Sequence, residues 1–460
     1  MIDLQDTICA LSTPSGVGGI AVIRVSGKKA IEIVDILFSR NLRSVESHRA
    51  VHGWMLDGET RVDEVVLTVF HGPRSFTGED TVEIACHGSI YIQQRLTQMI
   101  IGAGARMATP GEYTMRAYLN GRMDLSQAEA VGDLIASESA AAHEQAIHQM
   151  RGGFSKEINA LRDQLIQFAS LVELELDFAE EDVEFANRGQ LSALVNEIKR
   201  VVDHLRDSFQ LGNAIKNGVP VAILGAPNMG KSTLLNALLN EERAIVSDIA
   251  GTTRDTVEDD LILKGIRFKF IDTAGIRSTT DTIEQMGIER SFTKARQASV
   301  LLLLFDAVNT SREELVDFVN EVKIQAGEKA RILLVANKAD NAAFKEVEVM
   351  AKTKELGEYL IISAKQGLHV DALKQWLIDG VELGRVNSGE TVVTNARHYD
   401  ALSKASASLQ EIIIGLQSQV TGDFLAVDIR KTLYHLSEIT GQINADDLLN
   451  SIFSKFCIGK

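Results

Sequence analysis

The rhythm of apolar and polar positions changes several times along the chain. Through about residue 115, short β-branched runs stand near glycines. Ile20-Ala21-Val22-Ile23-Arg24-Val25 and Val65-Val66-Leu67-Thr68-Val69-Phe70 are two of them. Runs of this kind predict strands, and this part reads as a mixed α/β domain. From about Ser126 to Lys216 apolar residues recur at helical spacing (Ile158, Leu161, Leu165, Phe168, Leu171, Val172) and no strand is evident. From Val219 to about Leu377 strands and helices alternate. The expected strands are 221–224, 268–271, 300–305, 332–335 and 359–362. Near-continuous apolar strands belong to a sheet buried on both faces. After residue 380 the helical texture returns. Helical sequence on both sides of an α/β unit predicts a helical domain with that unit inserted. The expected boundaries are 1–119, 120–216, 217–380 and 381–460.

Composition narrows the class. The chain has 460 residues, 45% of them apolar and 24% charged, the range of a folded globular protein of about three domains. Lys and Arg number 47 against 63 Asp and Glu, a formal net charge of −16. That argues against a protein that coats nucleic acid broadly and leaves room for a local basic patch. The longest apolar run, Val300 to Phe305, is far short of the ~20 residues of a membrane span. The first residues carry no basic segment ahead of an apolar stretch. Three scattered cysteines (Cys9, Cys86, Cys457) form neither a disulfide framework nor a zinc site. A cytoplasmic protein with no membrane association is expected. The acidic cluster Glu173, Glu175, Asp177, Glu180, Glu181, Asp182 and Glu184 reads as a solvated helix end and loop.

The candidate chemistry lies in the alternating region. Gly225-Ala226-Pro227-Asn228-Met229-Gly230-Lys231-Ser232 fits G-x-x-x-x-G-K-S, after an apolar strand and before a helix with core face Leu234, Leu235, Leu238 and Leu239. Glycines there let backbone N–H groups close around phosphate oxygens, and the helix N-terminus favours the anion. Lys231 would meet the outer phosphates and Ser232 Oγ would ligate Mg²⁺, with Thr233 following in the first turn. Asp272-Thr273-Ala274-Gly275 gives D-x-x-G: Asp272 reaches Mg²⁺ through water, and the Gly275 N–H senses the γ-phosphate. Asn337-Lys338-Ala339-Asp340 gives N-K-x-D, whose Asp340 accepts the guanine N1–H and 2-amino donors. Ser363-Ala364-Lys365 completes the base pocket. Each motif is weak alone. Four in order at strand ends predict a GTP site.

Between the first two motifs lies Ser247-Asp248-Ile249-Ala250-Gly251-Thr252-Thr253-Arg254-Asp255. One of its threonines, Thr252 or Thr253, is expected to close on Mg²⁺ when the γ-phosphate is present. Ile276 stands where related enzymes carry a water-orienting glutamine. No arginine finger is evident. Asn228 offers a side-chain oxygen, either to brace the loop or to hold a monovalent cation where charge develops.

With these motifs in place, the chain resembles the bacterial tRNA-modification GTPase family called MnmE or TrmE, over essentially its whole length. The resemblance rests on Gly225-x-Pro-Asn-x-Gly-Lys-Ser232, Asp248-Ile-Ala-Gly-Thr-Thr-Arg-Asp255 and Asp272-Thr-Ala-Gly-Ile-Arg277. Two further segments are specific to the family: Ser75-Phe-Thr-Gly-Glu-Asp80 and the terminal Phe456-Cys457-Ile458-Gly459-Lys460. It implies an N-terminal folate-binding and dimerisation domain, a helical domain in two segments and an inserted Ras-like P-loop domain. It implies a homodimer working with an FAD-containing partner, MnmG (GidA), in a heterotetramer or larger complex. Together they would place an aminomethyl or carboxymethylaminomethyl group on C5 of a tRNA wobble uridine. The one-carbon unit would come from 5-formyl- or 5,10-methylene-tetrahydrofolate.

The resemblance also assigns roles. Asn228, the carbonyls of Ser247 and Ile249, and Thr252 match a K⁺ shell. Thr253 then matches the Mg²⁺ threonine beside Ser232. Glu284 matches the glutamate that orients the attacking water, which answers the Ile276 gap. Arg24, Glu83, Arg122 and Lys460 match folate contacts; a lysine is frequent in the family where Arg122 stands. Cys457 would lie near the folate, where its reactivity depends on exposure and pKa. A rival reading is a GTP-dependent switch for ribosome or RNA assembly without modification chemistry. Such switches usually carry an RNA-binding appendage, and no KH-type Gly-x-x-Gly context or basic stripe is found here.

Overall fold

The computed structural model describes residues 5–177, 188–239, 259–271, 298–326, 330–381, 391–418, 420–442, 449, 452–454 and 456–459. Its contacts divide the chain into two units. One comprises Met1–Ala136, Ala146–Asp203 and Asp400–Lys460; the other comprises Ser137–Gln145 and His204–Tyr399.

The N-terminal part of the first unit is a six-stranded sheet in the order β3-β4-β5-β2-β1-β6. Its strands are β1 (Ile8–Leu11), β2 (Ile20–Ser26), β3 (Arg49–Asp57), β4 (Thr60–Phe70), β5 (Thr81–His87) and β6 (Arg106–Met107). Only the β1–β6 pair is parallel. The two runs expected as strands are β2 and the second half of β4. Period-2 alternation divides the faces. Cys9, Ile23, Val25, Val69 and Ile84 join helices α1 (Ala30–Ile36) and α2 (Ile90–Gly102) in one buried core. The opposite face carries Ile8, Ala10 and Tyr113 of α3 (Glu112–Leu119). Arg24 and Glu83 sit on it too, directly opposite each other on β2 and β5.

The helical stretch follows as expected: α4 (Leu125–Ala136), α5 (Ala140–Met150), α6 (Gly153–Asp177), α7 (Arg188–Asp207) and α8 (Phe209–Asn217). The backbone of α6 runs helically through the first three acids of the cluster, to Asp177; the others lie outside the described residues.

The second sheet has the order β12-β11-β10-β7-β9-β8. Strands β7 (Val219–Leu224), β9 (Ile266–Phe270), β10 (Val300–Asp306), β11 (Arg331–Asn337) and β12 (Tyr359–Ile361) are parallel. Helices α9 (Lys231–Leu239), α10 (Arg312–Ala326), α11 (Glu346–Thr353) and α12 (Val370–Asp379) cover it. Both faces are buried, as the unbroken apolar strands predict. Val221, Ile223, Leu302 and Leu304 pack with Leu234 and Leu238 of α9 and Leu373 of α12. Ala222, Leu224, Leu301 and Leu303 pack with Leu315 and Val319 of α10 and Val349 of α11.

One edge strand, β8 (Asp259–Leu263), is absent from the sequence expectation; it pairs antiparallel with β9. The turn is Lys264-Gly265, with φ of 47° and 82°. Two consecutive left-handed residues make a two-residue hairpin turn that matches strand twist. Leu261, Leu263, Ile266, Phe268 and Phe270 then alternate into the core.

Two long helices close the chain, α13 (Ala396–Gln417) and α14 (Gly422–Thr440). In the first unit α14 packs along α6, and Ser406 of α13 donates to Asp203 of α7 over 2.5 Å. Leu449 and Phe453 pack with Met115 of α3 and with Leu125 and Ala128 of α4.

Candidate functional site

The phosphate-loop motif occupies the turn from β7 into α9, at the C-terminal edge of the parallel strands. That edge is where open α/β sheets bind ligands. Two of its glycines are required by close approach. A Cβ on Gly225 (φ 159°) would lie 2.4 Å from the Leu304 carbonyl, and one on Gly230 (φ 92°) would lie 2.5 Å from Asn337 Nδ2. Lys231 Nζ donates to the carbonyls of Gly225 (2.7 Å) and Ala226 (3.0 Å). Burial lowers its pKa. An ammonium desolvated over two carbonyl oxygens is ready to exchange them for phosphate oxygens. Asn228 is exposed at φ 61°, a left-handed conformation that asparagine tolerates. Among the described residues its side chain makes no hydrogen bond.

The base-side loops converge through one residue. Asn337 is buried at the end of β11. Its Nδ2 donates to the Met229 carbonyl (2.9 Å), and its Oδ1 accepts from the Ala364 N–H (3.0 Å). One side-chain amide thus ties the phosphate loop to the Ser363-Ala364-Lys365 loop. Asp340 Oδ1 accepts from the buried Ser363 hydroxyl at 2.7 Å. The Ala339 N–H donates to the Ile362 carbonyl at 3.1 Å.

Asp306 belongs to none of the sequence motifs. It ends β10, whose residues are all buried, and Lys338 Nζ donates to it at 2.8 Å. Burial works to raise its pKa. Lys338, the Asn309 side chain and the N–H groups of Asn309 and Val308 outweigh that and hold it at about 2. An acid ending a fully apolar strand one strand away from N-K-x-D was the available signal. The lysine of that motif therefore has an anchor, at a left-handed φ of 68°.

Several expected site residues lie outside the described residues: Ser247 through Thr253, Asp272 through Gly275, Glu284 and Lys460. Ser232 and Thr233 lie in the first turn of α9, Ser232 half-buried and Thr233 exposed.

The second constellation is on the N-terminal sheet. Arg24 Nε and Nη2 both donate to Glu83 Oε1, at 2.9 and 2.7 Å. The guanidinium lies 5.5 Å from the Phe76 ring centroid and 5.6 Å from that of Tyr113, within cation–π range. The Tyr113 hydroxyl donates to the Arg24 carbonyl at 2.8 Å, and burial pushes its pKa up. Arg122 lines an open cleft with Phe76. Phe76 thus meets Arg24 and lines the same cleft as Arg122.

The loop that carries Phe76 is pinned from behind by charges whose pairing the sequence does not announce. Arg116 and Glu112, both fully buried, pair at 2.9 Å. Arg116 also reaches Glu79 (3.1 Å) and Asp6, and Arg106 reaches Glu112 (2.7 Å) and Asp6 (2.7 Å). Burial alone would raise the pKa of Glu112. Arg106, the Thr109 N–H and Arg116 overcome it and lower it to about 2. Within Ser75-Phe-Thr-Gly-Glu-Asp80, Ser75 Oγ donates to the Glu79 carbonyl (2.5 Å) and Asp80 accepts from the Gly72 N–H (2.9 Å). Thr77 Oγ1 and Ser26 Oγ share a hydrogen bond of 2.7 Å. These polar residues hold the loop's shape, and Phe76 is the one turned outward.

The C-terminal tail lies on the same part of the fold. The Gly111 N–H donates to the Cys457 carbonyl (3.4 Å) and Ser12 Oγ to the Gly459 carbonyl (3.3 Å). Ser12 follows β1, whose Ala10 is opposite Arg24. The Cys457 thiol is exposed, whereas Cys9 and Cys86 are buried and their pKa values are raised by burial to about 11.

Comparison with known proteins covers the whole chain. The model described as "GTP-binding protein TrmE N-terminus" matches residues 7–122, and the one described as "MnmE helical domain" matches 125–457. A protein of Cytophaga hutchinsonii named "tRNA modification GTPase MnmE" is 55% identical over 457 residues, 99% of this chain and 98% of its own. Proteins of the same name from Flavobacterium johnsoniae (52% identical, 99% of both chains) and Bacteroides fragilis (49% identical, 99% of this chain and 100% of its own) match equally completely.

Proposed function

As the chain belongs to the MnmE family, we propose that it is a GTP hydrolase whose cycle serves tRNA modification. In this reading hydrolysis is stimulated by K⁺. With an FAD-containing partner of the MnmG kind, a homodimer of the chain forms the aminomethyl or carboxymethylaminomethyl group at C5 of the wobble uridine in the cytoplasm. A tetrahydrofolate one-carbon unit supplies the new carbon. Among the described residues no helix is long and apolar enough to cross a membrane.

The observation that carries the nucleotide half is the double hydrogen bond of Asn337. It holds the phosphate loop and the Ser363–Lys365 loop together at the edge of one sheet. Asp340 keeps one oxygen on Ser363 and has the rest of its carboxylate for the two guanine donors. Adenine lacks that donor pair. Lys231 would leave its loop carbonyls for the β- and γ-phosphates. Ser232 and Thr253 would hold Mg²⁺, which neutralises phosphate charge. The side-chain oxygen of Asn228 would take a monovalent cation, with Ser247, Ile249 and Thr252 completing the shell. Glu284 would orient the attacking water. On the N-terminal sheet, Glu83 has one oxygen on Arg24 and one left for a pterin edge, and Arg122 suits a carboxylate tail. Lys460 and Cys457 would stand beside them.

Replacing the carboxylate acceptor tests the base pocket. Asp340→Asn should lose GTP affinity by about tenfold to a hundredfold, as charged hydrogen bonds are removed, and bind xanthosine triphosphate better than GTP. A variant that still prefers GTP would contradict the assignment of the pocket.

A further inference from the structure

The hairpin of β8 and β9 joins, in the sequence, the two segments read above as sensing the γ-phosphate. Ser247–Asp255 precedes β8, and β9 runs into Asp272-Thr273-Ala274-Gly275. The Lys264-Gly265 turn closes the hairpin at its other end. β8 lies at the sheet edge, paired with β9 alone among the described strands. Two strands of about five residues joined by a two-residue turn form one stiff piece, roughly 17 Å long. A shift at the nucleotide end is therefore felt at the turn.

The turn meets a piece of chain from far away in the sequence. α4 ends at Ala136 and α5 begins at Ala140. The junction between them, Ser137–Gln145, belongs by its contacts to the unit that holds the nucleotide motifs. The residues on both sides of it, up to Ala136 and from Ala146, belong to the other unit. Ala141 and Ala142 pack against the core that includes Leu261, Leu263 and Ile266. The fit at the turn is close: a Cβ on Gly265 would come to 3.3 Å from that of Ala141. Beside the turn, Arg267 of β9 is forked between two carboxylates. Its Nη2 and Nε meet Asp260 of β8 at 2.5 and 2.6 Å, and its Nη1 meets Glu138 of the junction. The Arg267 side chain is only 20% exposed, and burial lowers its pKa. Asp260 closes the hairpin on itself; Glu138 links it to the junction.

We propose that the β8–β9 hairpin carries the nucleotide state to the α4–α5 junction, with the Arg267–Glu138 ion pair as its latch. The proposal rests on the nucleotide reading above and adds a route out of that site. When the loop threonine closes on Mg²⁺ and the Gly275 N–H on the γ-phosphate, both strands are pulled at their nucleotide ends. The turn then shifts against Ala141 and Glu138. A junction bonded to this turn, and continuous with helices of the other unit, must follow the shift or release it. The coupling is reciprocal: whatever the nucleotide does to the latch, the latch does to nucleotide preference.

The test is amide hydrogen exchange of the full chain with GDP and with guanosine 5′-(β,γ-imido)triphosphate, both with Mg²⁺ and K⁺. Exchange across Ser137–Gln145 should differ between the two nucleotides by about threefold to tenfold, as should exchange across β8 and β9. Glu138→Ala should erase the difference at the junction and leave the one in the hairpin. It should also shift the ratio of the two nucleotide affinities by about twofold to fivefold, the range of one partly exposed ion pair. Glu138→Gln, which keeps an acceptor for Arg267, should shift it less. The Glu138 side chain is 60% exposed, so a thermal melt matching the parent is expected. Equal exchange at the junction with both nucleotides overturns the proposal, as does a difference that survives Glu138→Ala. Equal weakening of both nucleotides by Glu138→Ala also overturns it and leaves the pair as a brace. Failure of either nucleotide to bind the parent would remove the nucleotide reading itself, a result distinct from equal exchange.

Discussion

The two candidate sites are held in opposite ways. The nucleotide side is a set of loops at strand ends, and side-chain hydrogen bonds to backbone tie them: Asn337 to Met229 and Ala364, Lys231 to Gly225 and Ala226. The N-terminal side is a sheet face with a loop over it, and a closed group of buried charges on Arg116 holds that loop. The first arrangement leaves polar groups free to be reclaimed by phosphate. The second leaves nothing free behind the loop and aims Phe76, Arg122 and Arg74 outward. Loops that must rearrange around a ligand are tethered lightly, and a surface that must keep its shape is locked from within.

The most severe way to break the comparison is Arg116→Leu. It strands Glu112 and Glu79 without their shared partner, and removing one member of a buried charged group costs about 3–5 kcal/mol. The chain has two tryptophans, Trp54 in the N-terminal sheet and Trp376 in the other unit. Trp54 fluorescence in a Trp376→Phe background therefore reports the first unit alone. Its urea transition should move to much lower denaturant, while Trp376 in a Trp54→Phe background should not respond. A Trp54 transition that stays in place would show that the charges do not hold the loop.

Acid separates the same charges more gently. Glu112 has its pKa lowered from 4.5 to about 2. A depressed carboxyl gives stability that is full above 4.5 and is lost as pH falls through about 2. That contribution is ~3 kcal/mol by the usual conversion of pKa shift to free energy. Between these pH values the Trp54 transition should weaken steadily. Glu112→Gln should flatten the slope. An equal slope in parent and variant would point to other groups.

Both predictions rest on residues the sequence did not bring together, and the reason is geometric. A phosphate loop needs consecutive N–H groups and a lysine at fixed spacing, so Gly225 to Ser232 is readable as a string. N-K-x-D is readable for the same reason. The parallel sheet was legible because burial on both faces leaves unbroken apolar strands such as Val300–Phe305. The Arg116 group is drawn from Asp6, Glu79, Arg106 and Glu112, with Asp6 and Arg116 separated by 110 positions. Helical i,i+4 spacing joins only Glu112 and Arg116; no periodicity joins them to Asp6, Glu79 or Arg106, and only the fold brings those together. Strand β8 escaped because Lys264-Gly265 is not one of the strongest hairpin turn pairs. Asp306 escaped because one acid at a strand end is common. Ser75–Asp80 was visible as a signature, yet its polar members prove to serve the loop's own shape.

On the nucleotide side, Asn337→Ala should act through both loops at once. It leaves the Met229 carbonyl and the buried Ala364 N–H without their partner, which costs about 2 kcal/mol or more. GDP affinity measured with a fluorescent analogue should fall at least about thirtyfold, and the Trp54 urea transition should be unmoved. Should affinity persist, the convergence of the loops would be incidental to binding.

The smallest effect sharpens the comparison most. Ser363 is fully buried, and its hydroxyl donates to Asp340 Oδ1 and accepts from the Gln366 N–H at 3.2 Å. In the proposed pocket it would reach the base only through Asp340, which makes it a positioning residue. Ser363→Ala removes one charge-assisted hydrogen bond, about 1–2 kcal/mol, or roughly fivefold to thirtyfold in GTP affinity. A loss of general loop order would weaken GTP and inosine triphosphate alike. A carboxylate left free to turn would lose its hold on the 2-amino group, which inosine lacks, so GTP should suffer more than inosine triphosphate. Competition between the two nucleotides reads that ratio directly. A ratio unchanged by Ser363→Ala would place this loop with the N-terminal sheet, as scaffold alone. A ratio that narrows makes it a light tether that also sets base selectivity.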